Sequence, residues 1–353
     1  MARGRHRPFR GPWWARVCIW FGVILMVASG GTLVGGNIII GRLTGSVETD
    51  NLLGDASANV GEDLDGPINL LLVGSDYRRT TPDEPIRADT IIVVHVPATH
   101  DRAYLISFPR DTRVDIPEAP NGHGGYVDKI NAAFALGALP AEGETGNNVA
   151  NGFQLLAQTI HETTGIRFTS GAVINFYGFT RVVHELGGVY MCVEPDRHGN
   201  TTWESEHGNP PRVFTAGCQT LDEHAALDYI RQRYQFPNGD YDRLRHQQEF
   251  IRAILEQALQ TGFADPTRIG DLVEAAGDAL LVDDSVPLIN LAWTLRNLRP
   301  GNLQAIRVPT VSEQIGGTWF EILLPEAEDL FEAVNNETID QWLVAHSEYV
   351  NPL

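Results

Sequence analysis

The apolar positions of the chain fall into short runs separated by turn residues. Three runs rich in Leu, Ile and Val are predicted to be buried strands: 68–73, 90–96 and 103–108. Each is followed directly by Gly or Pro, residues that stop a strand. The link 98–102 has hairpin length, so the second and third strands are expected to be antiparallel neighbours.

Other segments carry helical or strand-like patterns. Apolar residues recur at helical spacing over 153–164, and Gly165 behind them is a natural C-cap. A second helical pattern covers 243–260, and a strand-like run covers 188–193. The mixture of strands and helices predicts one large α/β domain.

The segment around two arginines combines helical and extended features. Thr220-Leu221-Asp222-Glu223 has the form of a capping box, which predicts a helix that begins at Thr220. Residues two apart share a face only on an extended chain. If Arg231 and Arg233 serve one ligand, the helix must therefore end near Asp228, and a strand must begin there.

The N-terminus has the pattern of a membrane anchor. Residues 17–40 contain no charged side chain, and a helix of that length reaches about 36 Å, enough to cross a bilayer. Five arginines and no acid precede it, so residues 1–16 are expected to stay cytoplasmic and the rest to lie outside the cell membrane. A cleaved signal peptide is the alternative, because Ala28-Ser29-Gly30 offers small residues, but its apolar region is usually only about 7–15 residues long.

The remaining chain divides by composition. Residues 41–66 are rich in Gly, Ser, Asp and Asn and are predicted to be a linker. Residues 67–335 are predicted to form the extracytoplasmic domain, and 336–353 a C-terminal tail. Cys192 and Cys218 lie in the exported part, where a disulfide is favoured over the buried thiols expected in a reducing compartment.

The charge of the chain limits its partners. The 353 residues carry a formal charge of -19 at pH 7, and residues 1–40 contribute five arginines, so the exported part carries -24. This balance disfavours nucleic acid and anionic lipid surfaces as partners. A phosphate-bearing ligand must therefore be bound by a local cluster of arginines.

Polar residues cluster where the predicted strands end. Asp76 follows the first strand, Asp89 opens the second, and Arg110 follows the third. If the first strand is also antiparallel to the second, all three lie at one edge of the sheet. Two carboxylates near one point either share a proton or bind a hard cation such as Mg²⁺. Arginines beside them supply the bidentate donors that pyrophosphate oxygens prefer.

Taken in order, these clusters resemble the LytR-CpsA-Psr family of cell-envelope enzymes, in its actinobacterial branch. The resemblance covers about residues 67–260. It rests on the segments Leu71-Leu72-Val73-Gly74-Ser75-Asp76, Arg87-Ala88-Asp89-Thr90, Ser107-Phe108-Pro109-Arg110-Asp111-Thr112, Lys129-Ile130-Asn131-Ala132-Ala133-Phe134, Gly187-Gly188-Val189, Ala226-Leu227-Asp228-Tyr229-Ile230-Arg231-Gln232-Arg233 and Gly239-Asp240-Tyr241-Asp242-Arg243-Leu244-Arg245-His246-Gln247-Gln248. The chain departs from the family pattern at Asp242, where many relatives have Gly, and at His246, which replaces an Arg.

The resemblance implies an α/β fold with a central mixed sheet between helices, an apolar groove for a polyprenyl chain, and a phosphotransferase active in cell-wall assembly. Such an enzyme moves a glycopolymer from a polyprenyl-pyrophosphate carrier in the membrane onto a sugar hydroxyl of peptidoglycan. By motif, Asp76 and Asp89 would bind Mg²⁺, with Mn²⁺ as the alternative ion. The pyrophosphate would be bound by Arg87, Arg110, Arg231, Arg233 and Arg243. The catalytic residues would be Arg110, Arg231, Arg233 and Asp89.

Two other functions remain open at this point. A hydrolase would cleave polyprenyl pyrophosphates at the same site with water as the acceptor. A non-catalytic envelope sensor would bind the lipid-linked sugar and pass a signal inward, although the expected cytoplasmic tail 1–16 carries no effector domain. The transfer scheme is physically coherent, because phosphoryl transfer needs positioning and electrostatic stabilisation rather than a strong protein nucleophile.

Overall fold

The computed structural model of the protein describes most of the part beyond residue 47. The described residues are 48–58, 64–75, 77, 86–208, 210–264, 277, 280–286, 290, 291, 294, 295, 298 and 300–351. The predicted anchor 17–40 and Asp76 lie outside them. Within them, no helix has the length and apolar character needed to cross a membrane.

The described elements are strands joined by short helices and turns. The strands are β1 (Glu48–Asp50), β2 (Ile68–Ser75), β3 (Ala88–Val96), β4 (Ala103–Phe108), β5 (Arg113–Ile116), β6 (Tyr126–Lys129), β7 (Ser170–Asn175), β8 (Val189–Val193), β9 (Thr202–Gly208), β10 (Pro211–Thr215), β11 (Gly217–Leu221), β12 (Leu280–Asp283), β13 (Leu303–Arg307), β14 (Thr310–Ile315), β15 (Thr318–Leu323) and β16 (Val350–Asn351). The α-helices are α1 (Ile130–Ala138), α2 (Val149–Thr164), α3 (Phe176–Glu185), α4 (Glu223–Tyr229), α5 (Asp240–Ala264), α6 (Pro325–Asn335) and α7 (Ile339–Ala345).

Eight strands form one mixed sheet in the order β1-β12-β7-β2-β3-β4-β13-β16. The strands β2, β3 and β4 are antiparallel neighbours, whereas β7 is parallel to β2 and β13 is parallel to β4. The predicted strands and the predicted hairpin at 98–102 are therefore confirmed. The prediction of a mixed central sheet is confirmed as well.

Helices pack on both faces of this sheet. On one face, Phe153 of α2 and Phe331 of α6 join the same buried cluster as Leu71 of β2. Gln248 of α5 approaches from the other face, where its Nε2 donates to Ser107 Oγ at 2.6 Å. Helix α2 ends at Gly165, as predicted, because Gly165 adopts φ 74°, a conformation that glycine takes without steric cost.

The folded domain is wider at both ends than the predicted 67–335. Strand β1, within the predicted linker 41–66, pairs in parallel with β12, and the Leu52 and Leu53 side chains behind it are buried. In the predicted tail, β16 pairs with β13. The composition concealed both strands because they are only two or three residues long and mostly polar.

Two local predictions near α4 are wrong. Thr220 belongs to strand β11, and the helix is capped by Asp222, whose Oδ1 accepts from the backbone N–H of His224 and of Ala225 at 3.0 and 2.6 Å. An aspartate can cap a helix by itself, so the capping box placed the start two residues early. The chain after Tyr229 forms turns rather than the predicted strand.

A disulfide joins Cys192 of β8 to Cys218 of β11, so the predicted pairing of these two cysteines is confirmed. The two residues lie directly opposite each other in the antiparallel β8–β11 pair. The bridge closes the base of the segment that contains the β9–β10 hairpin. It therefore restricts this segment in the unfolded chain as well as in the folded one.

We predict that this disulfide is formed in the exported protein. The chain has three cysteines, so thiol titration of the denatured, unreduced full chain is expected to find one free thiol, that of Cys18. The same sample after reduction is the control and is expected to yield three. Three free thiols before reduction would contradict the prediction.

Candidate active site

One edge of the sheet gathers the polar ends of β3 and β4. The register pairs Ile91 with Phe108, so the start of β3 and the end of β4 are neighbours. Just beyond them, Arg110 Nη1 donates to Asp89 Oδ1 at 2.6 Å. The convergence expected from the sequence is confirmed for these two residues, whereas Asp76 lies outside the described part of the chain.

The N-terminal turn of α5 supplies two more charged groups to this cluster. Arg243 Nη2 lies 2.8 Å from Asp240 Oδ1, and its side chain is only 5% exposed. Arg233 Nε lies 3.4 Å from the same oxygen. Asp240 therefore sits between two guanidinium groups. We refer to Asp89, Arg110, Arg233, Asp240 and Arg243 as the arginine cluster.

Burial and neighbouring charges act against each other in the arginine cluster. Burial lowers the pKa of Arg243, and the positive charges of Arg110 and Arg233 lower it further, while Asp240 and Asp89 raise it. The net direction for Arg243 is downward. Burial also opposes the charge of Arg110, but its carboxylate neighbours, with Asp89 first, prevail and raise its pKa. The folded chain thus holds like charges close together.

The arginine cluster contains hydrogen-bond donors that the described residues do not satisfy. The Nε atoms of Arg110 and Arg243 are buried and have no hydrogen-bond partner there, and the buried Nε of Arg233 has only its 3.4 Å ion-pair contact with Asp240 Oδ1. A buried donor without a partner costs about 1–3 kcal/mol, and more when the group is charged. An anion with several oxygens would remove this cost and would reduce the repulsion between the arginines. The arrangement is therefore suited to a phosphate or pyrophosphate group.

Two of the predicted arginines are solvent-exposed. Arg87 precedes β3 and is exposed. Arg231 follows α4 and is also exposed; its charge acts on Asp228, and its carbonyl oxygen lies 3.4 Å from His207 Nε2. The predicted strand is absent, and the two arginines have different neighbours: Arg233 contacts Asp240, whereas the charge of Arg231 acts on Asp228.

The structure adds a residue that the sequence reasoning did not assign. Asp240 joins Arg233 to Arg243 within the arginine cluster. Asp240 lies three residues before Arg243, where the predicted helical pattern 243–260 begins, and the helix in fact starts at Asp240. That spacing brings side chains together on a helix, so it was the available signal.

A second network fixes the helix that carries Arg243. Glu194 follows directly after β8, and its two carboxylate oxygens accept from Arg245 Nη1 and Nη2 at 2.9 and 2.7 Å. His246, fully buried, lies 3.4 Å from Glu194 Oε2 and 3.3 Å from the Tyr229 hydroxyl. We refer to Glu194, Arg245 and His246 as the clamp, because together they tie α5 to β8.

The clamp explains the two departures from the family pattern. His246 belongs to the clamp rather than to the arginine cluster. Asp242 accepts from the backbone N–H of Asn238 at 2.9 Å and pairs with Arg245 at 3.3 Å. Its negative charge is therefore matched by Arg245, outside the cluster.

These features define the class of the protein: a mixed α/β domain with a cluster of arginines and carboxylates at one edge of its sheet. The chain belongs to the LytR_cpsA_psr family, whose model matches residues 41–336. The match includes the arginine cluster and every strand of the eight-stranded sheet except β16.

Similar proteins carry names from cell-wall biosynthesis. The chain is 29% identical to cell wall biosynthesis protein LcpA of Corynebacterium glutamicum over 80% of this chain and 57% of that protein, so it spans little more than half of that relative. It is 28% identical to the polyisoprenyl-teichoic acid–peptidoglycan teichoic acid transferase TagU of Oceanobacillus iheyensis, over 76% and 74%. The structure of TagT bound to LIIa-WTA shares the fold, with a TM-score of 0.57, 23% identity and coverage of 81% and 97%.

We predict that the clamp makes the free energy of unfolding depend on pH in the acidic range. Hydrogen bonding from His246 and then from Arg245 lowers the pKa of Glu194 from 4.5 to about 2. A lowered folded-state pKa means that this stabilisation is present above about pH 4.5 and is lost as the pH falls toward 2. Glu194→Gln is therefore expected to reduce the free energy of unfolding by on the order of 1 kcal/mol at neutral pH, since Glu194 is partly exposed.

Urea unfolding of wild type and Glu194→Gln at about pH 7, 5 and 3 measures this difference. The gap between the two proteins is expected to be largest at neutral pH and to narrow at the lowest pH. A gap that stays constant across the three pH values would show that Glu194 does not titrate as the clamp requires.

Proposed function

We propose that the protein transfers a glycopolymer from a polyprenyl-pyrophosphate carrier to a sugar hydroxyl of peptidoglycan. The single observation that carries the proposal is that the arginine cluster, beside the Asp89–Arg110 pair, holds buried Nε donors, of which those of Arg110 and Arg243 have no hydrogen-bond partner among the described residues. Such donors fit the oxygens of a pyrophosphate better than those of a neutral ligand. The names of TagU and of the TagT complex support the same reaction class for this chain.

The proposed reaction exchanges one phosphorus–oxygen bond for another. The acceptor hydroxyl gives up its proton, which the departing polyprenyl phosphate takes up, and its oxygen bonds to the phosphorus that carries the glycopolymer. The bond from that phosphorus to the bridging oxygen breaks, and polyprenyl phosphate leaves. Arg110, Arg233 and Arg243 stabilise the negative charge that builds up on these oxygens, and their fixed positions remove the cost of reorganising solvent.

Magnesium is part of this proposal. Within the described residues, no group of three or more His, Cys, Asp or Glu side chains is arranged to bind a metal. Mg²⁺, however, commonly uses only one or two carboxylates together with substrate phosphates. Arg110 donates to one carboxylate oxygen of Asp89, Oδ1. We therefore assign the other oxygen, Oδ2, to hold the ion, with Asp76 as the partner ligand. Bound there, Mg²⁺ or Mn²⁺ would neutralise charge on the pyrophosphate.

We propose a location to match the substrate. Residues 17–40 anchor the chain in the cell membrane, with residues 1–16 in the cytoplasm and the catalytic domain outside. This topology brings the arginine cluster to the side of the membrane where peptidoglycan lies, and it keeps the domain near a carrier embedded in lipid. Arg87 and Arg231 retain the pyrophosphate role that the family resemblance implies, as exposed cations.

We predict that Arg110→Ala and Arg243→Ala each lower transfer by about 100-fold or more, because each removes donors from a preorganised site. The Lys variants are expected to remain inactive, since Lys lacks the planar fork of donors. Arg231→Ala is expected to lose less, because Arg231 is exposed. Initial rates of transfer to peptidoglycan measure these effects, with far-UV circular dichroism to confirm folding.

Arg252→Ala is the matched control. Arg252 lies on the same helix as Arg243 but pairs with Glu256, and its substitution is expected to leave transfer unchanged. Near-normal rates in both the Arg110→Ala and the Arg243→Ala proteins would contradict the proposed function.

We predict that magnesium strengthens pyrophosphate binding through Asp89. Calorimetric titration with geranyl pyrophosphate is expected to give a lower Kd for wild type in Mg²⁺ than in EDTA. In Asp89→Asn the gain from Mg²⁺ is expected to disappear, because an amide is a poorer ligand for this ion. The substitution also removes the ion pair with Arg110. The change in Kd that Mg²⁺ causes, rather than the Kd itself, therefore separates the effect of the metal from the effect of the lost ion pair. Equal Kd values for wild type in Mg²⁺ and in EDTA would rule out the metal role.

A further inference from the structure

The β14–β15 hairpin is an exposed element whose role the arginine cluster does not explain. Its strands pair in a regular antiparallel register from Thr310–Leu323 to Ile315–Thr318. The turn consists of Gly316 and Gly317, which both have positive φ, at 60° and 88°. Two such residues form a tight turn whose twist matches that of the strands, so the hairpin is a rigid projection.

The base of this hairpin is fixed beside the arginine cluster at two points. The backbone N–H of Glu321 donates to the carbonyl oxygen of Asp111, the residue after Arg110, at 2.9 Å. The carboxylate of Glu321 accepts from the hydroxyl of Tyr241, the residue after Asp240, at 2.6 Å. Glu321 therefore contacts Asp111 and Tyr241, which follow directly after two members of the arginine cluster.

One face of the hairpin runs from this base toward solvent. Ser312 is paired with Glu321 and Gln314 with Trp319, so these four side chains share a face. Ser312 donates to the Glu321 carboxylate on it. Trp319 follows two positions farther out, about 7 Å along the strand, and is 59% exposed. A large aromatic ring with an amide beside it thus stands at the outer end.

The charge of the hairpin indicates what it binds. Residues 310–323 include Glu313 and Glu321 and no Lys or Arg, so the hairpin itself offers no cation to an anionic donor or an anionic lipid headgroup. A neutral sugar ring requires none. Its polarised C–H groups pack on the electron-rich face of an indole, and its hydroxyl and acetamido groups find partners in an amide side chain.

We propose that this face of the hairpin is the subsite for the acceptor glycan. A neutral pyranose ring stacks on the indole of Trp319, and the Gln314 amide hydrogen-bonds to its polar substituents. The next ring of the glycan is thereby directed past Glu321 toward the arginine cluster. This inference rests on the proposed function for the identity of the glycan as acceptor, but binding of the glycan itself requires no donor.

The test uses the full chain in phosphatidylcholine nanodiscs and a neutral β-1,4-linked N-acetylglucosamine tetramer. Quenching of tryptophan fluorescence by iodide is measured for wild type and for Trp319→Phe. The difference between the two proteins reports the accessibility of the Trp319 indole. We expect iodide to reach the indole without sugar and to be excluded when the tetramer is added. By calorimetry, Trp319→Ala is expected to weaken tetramer binding about tenfold or more, because it removes the stacking surface.

Tyr190→Ala is the matched control, since Tyr190 is also 59% exposed but lies on β8, and it is expected to bind the tetramer as wild type does. Unchanged binding in Trp319→Ala would overturn the proposal. So would an indole already shielded from iodide without sugar, which would identify the hairpin as a membrane contact. Tetramer binding through Trp319 in a protein without transfer activity would support this inference while contradicting the proposed function.

Discussion

The main physical constraint on the structure is that three guanidinium groups of like charge are held together at one edge of the sheet. Asp240 and Asp89 offset part of the repulsion, but burial and the neighbouring arginines still lower the pKa of Arg243. Such a cluster persists only when the elements that carry it cannot separate. The β3–β4 pairing holds Arg110, while the clamp and the buried Gln248–Ser107 bond hold α5.

The net negative charge of the whole chain limits the kinds of ligand that can approach the arginine cluster. A domain with a strong excess of acids repels polyanions in general, so in the proposed function the local group of arginines provides the site for a compact anion at the edge of the sheet. The β14–β15 hairpin beside the cluster has no Lys or Arg, and we propose that its exposed aromatic face binds the neutral sugar while the arginines face the pyrophosphate. In the proposed reaction, donor and acceptor are thus separated by charge.

The sequence predicted the contacts that short links enforce. Strands β3 and β4 are joined by the six-residue link 97–102, so the meeting of Asp89 and Arg110 followed from the hairpin alone. It did not predict the clamp, because Glu194 and Arg245 are 51 residues apart in the chain. Nor did it predict the exposure of Arg231, because the turns after α4 take the place of an expected strand. Motif resemblance identifies residue types, whereas their relative positions arise from tertiary packing.

The central claim is that the buried arginines are held in place for a pyrophosphate. Thermal unfolding of the full chain with geranyl pyrophosphate tests it most directly, because a ligand that binds only the folded state raises the Tm by mass action. The account predicts a rise in Tm for wild type, no rise with geraniol, which lacks the phosphates, and little rise for Arg243→Lys. An equal rise in wild type and Arg243→Lys, or no rise in wild type at saturating ligand, would contradict it.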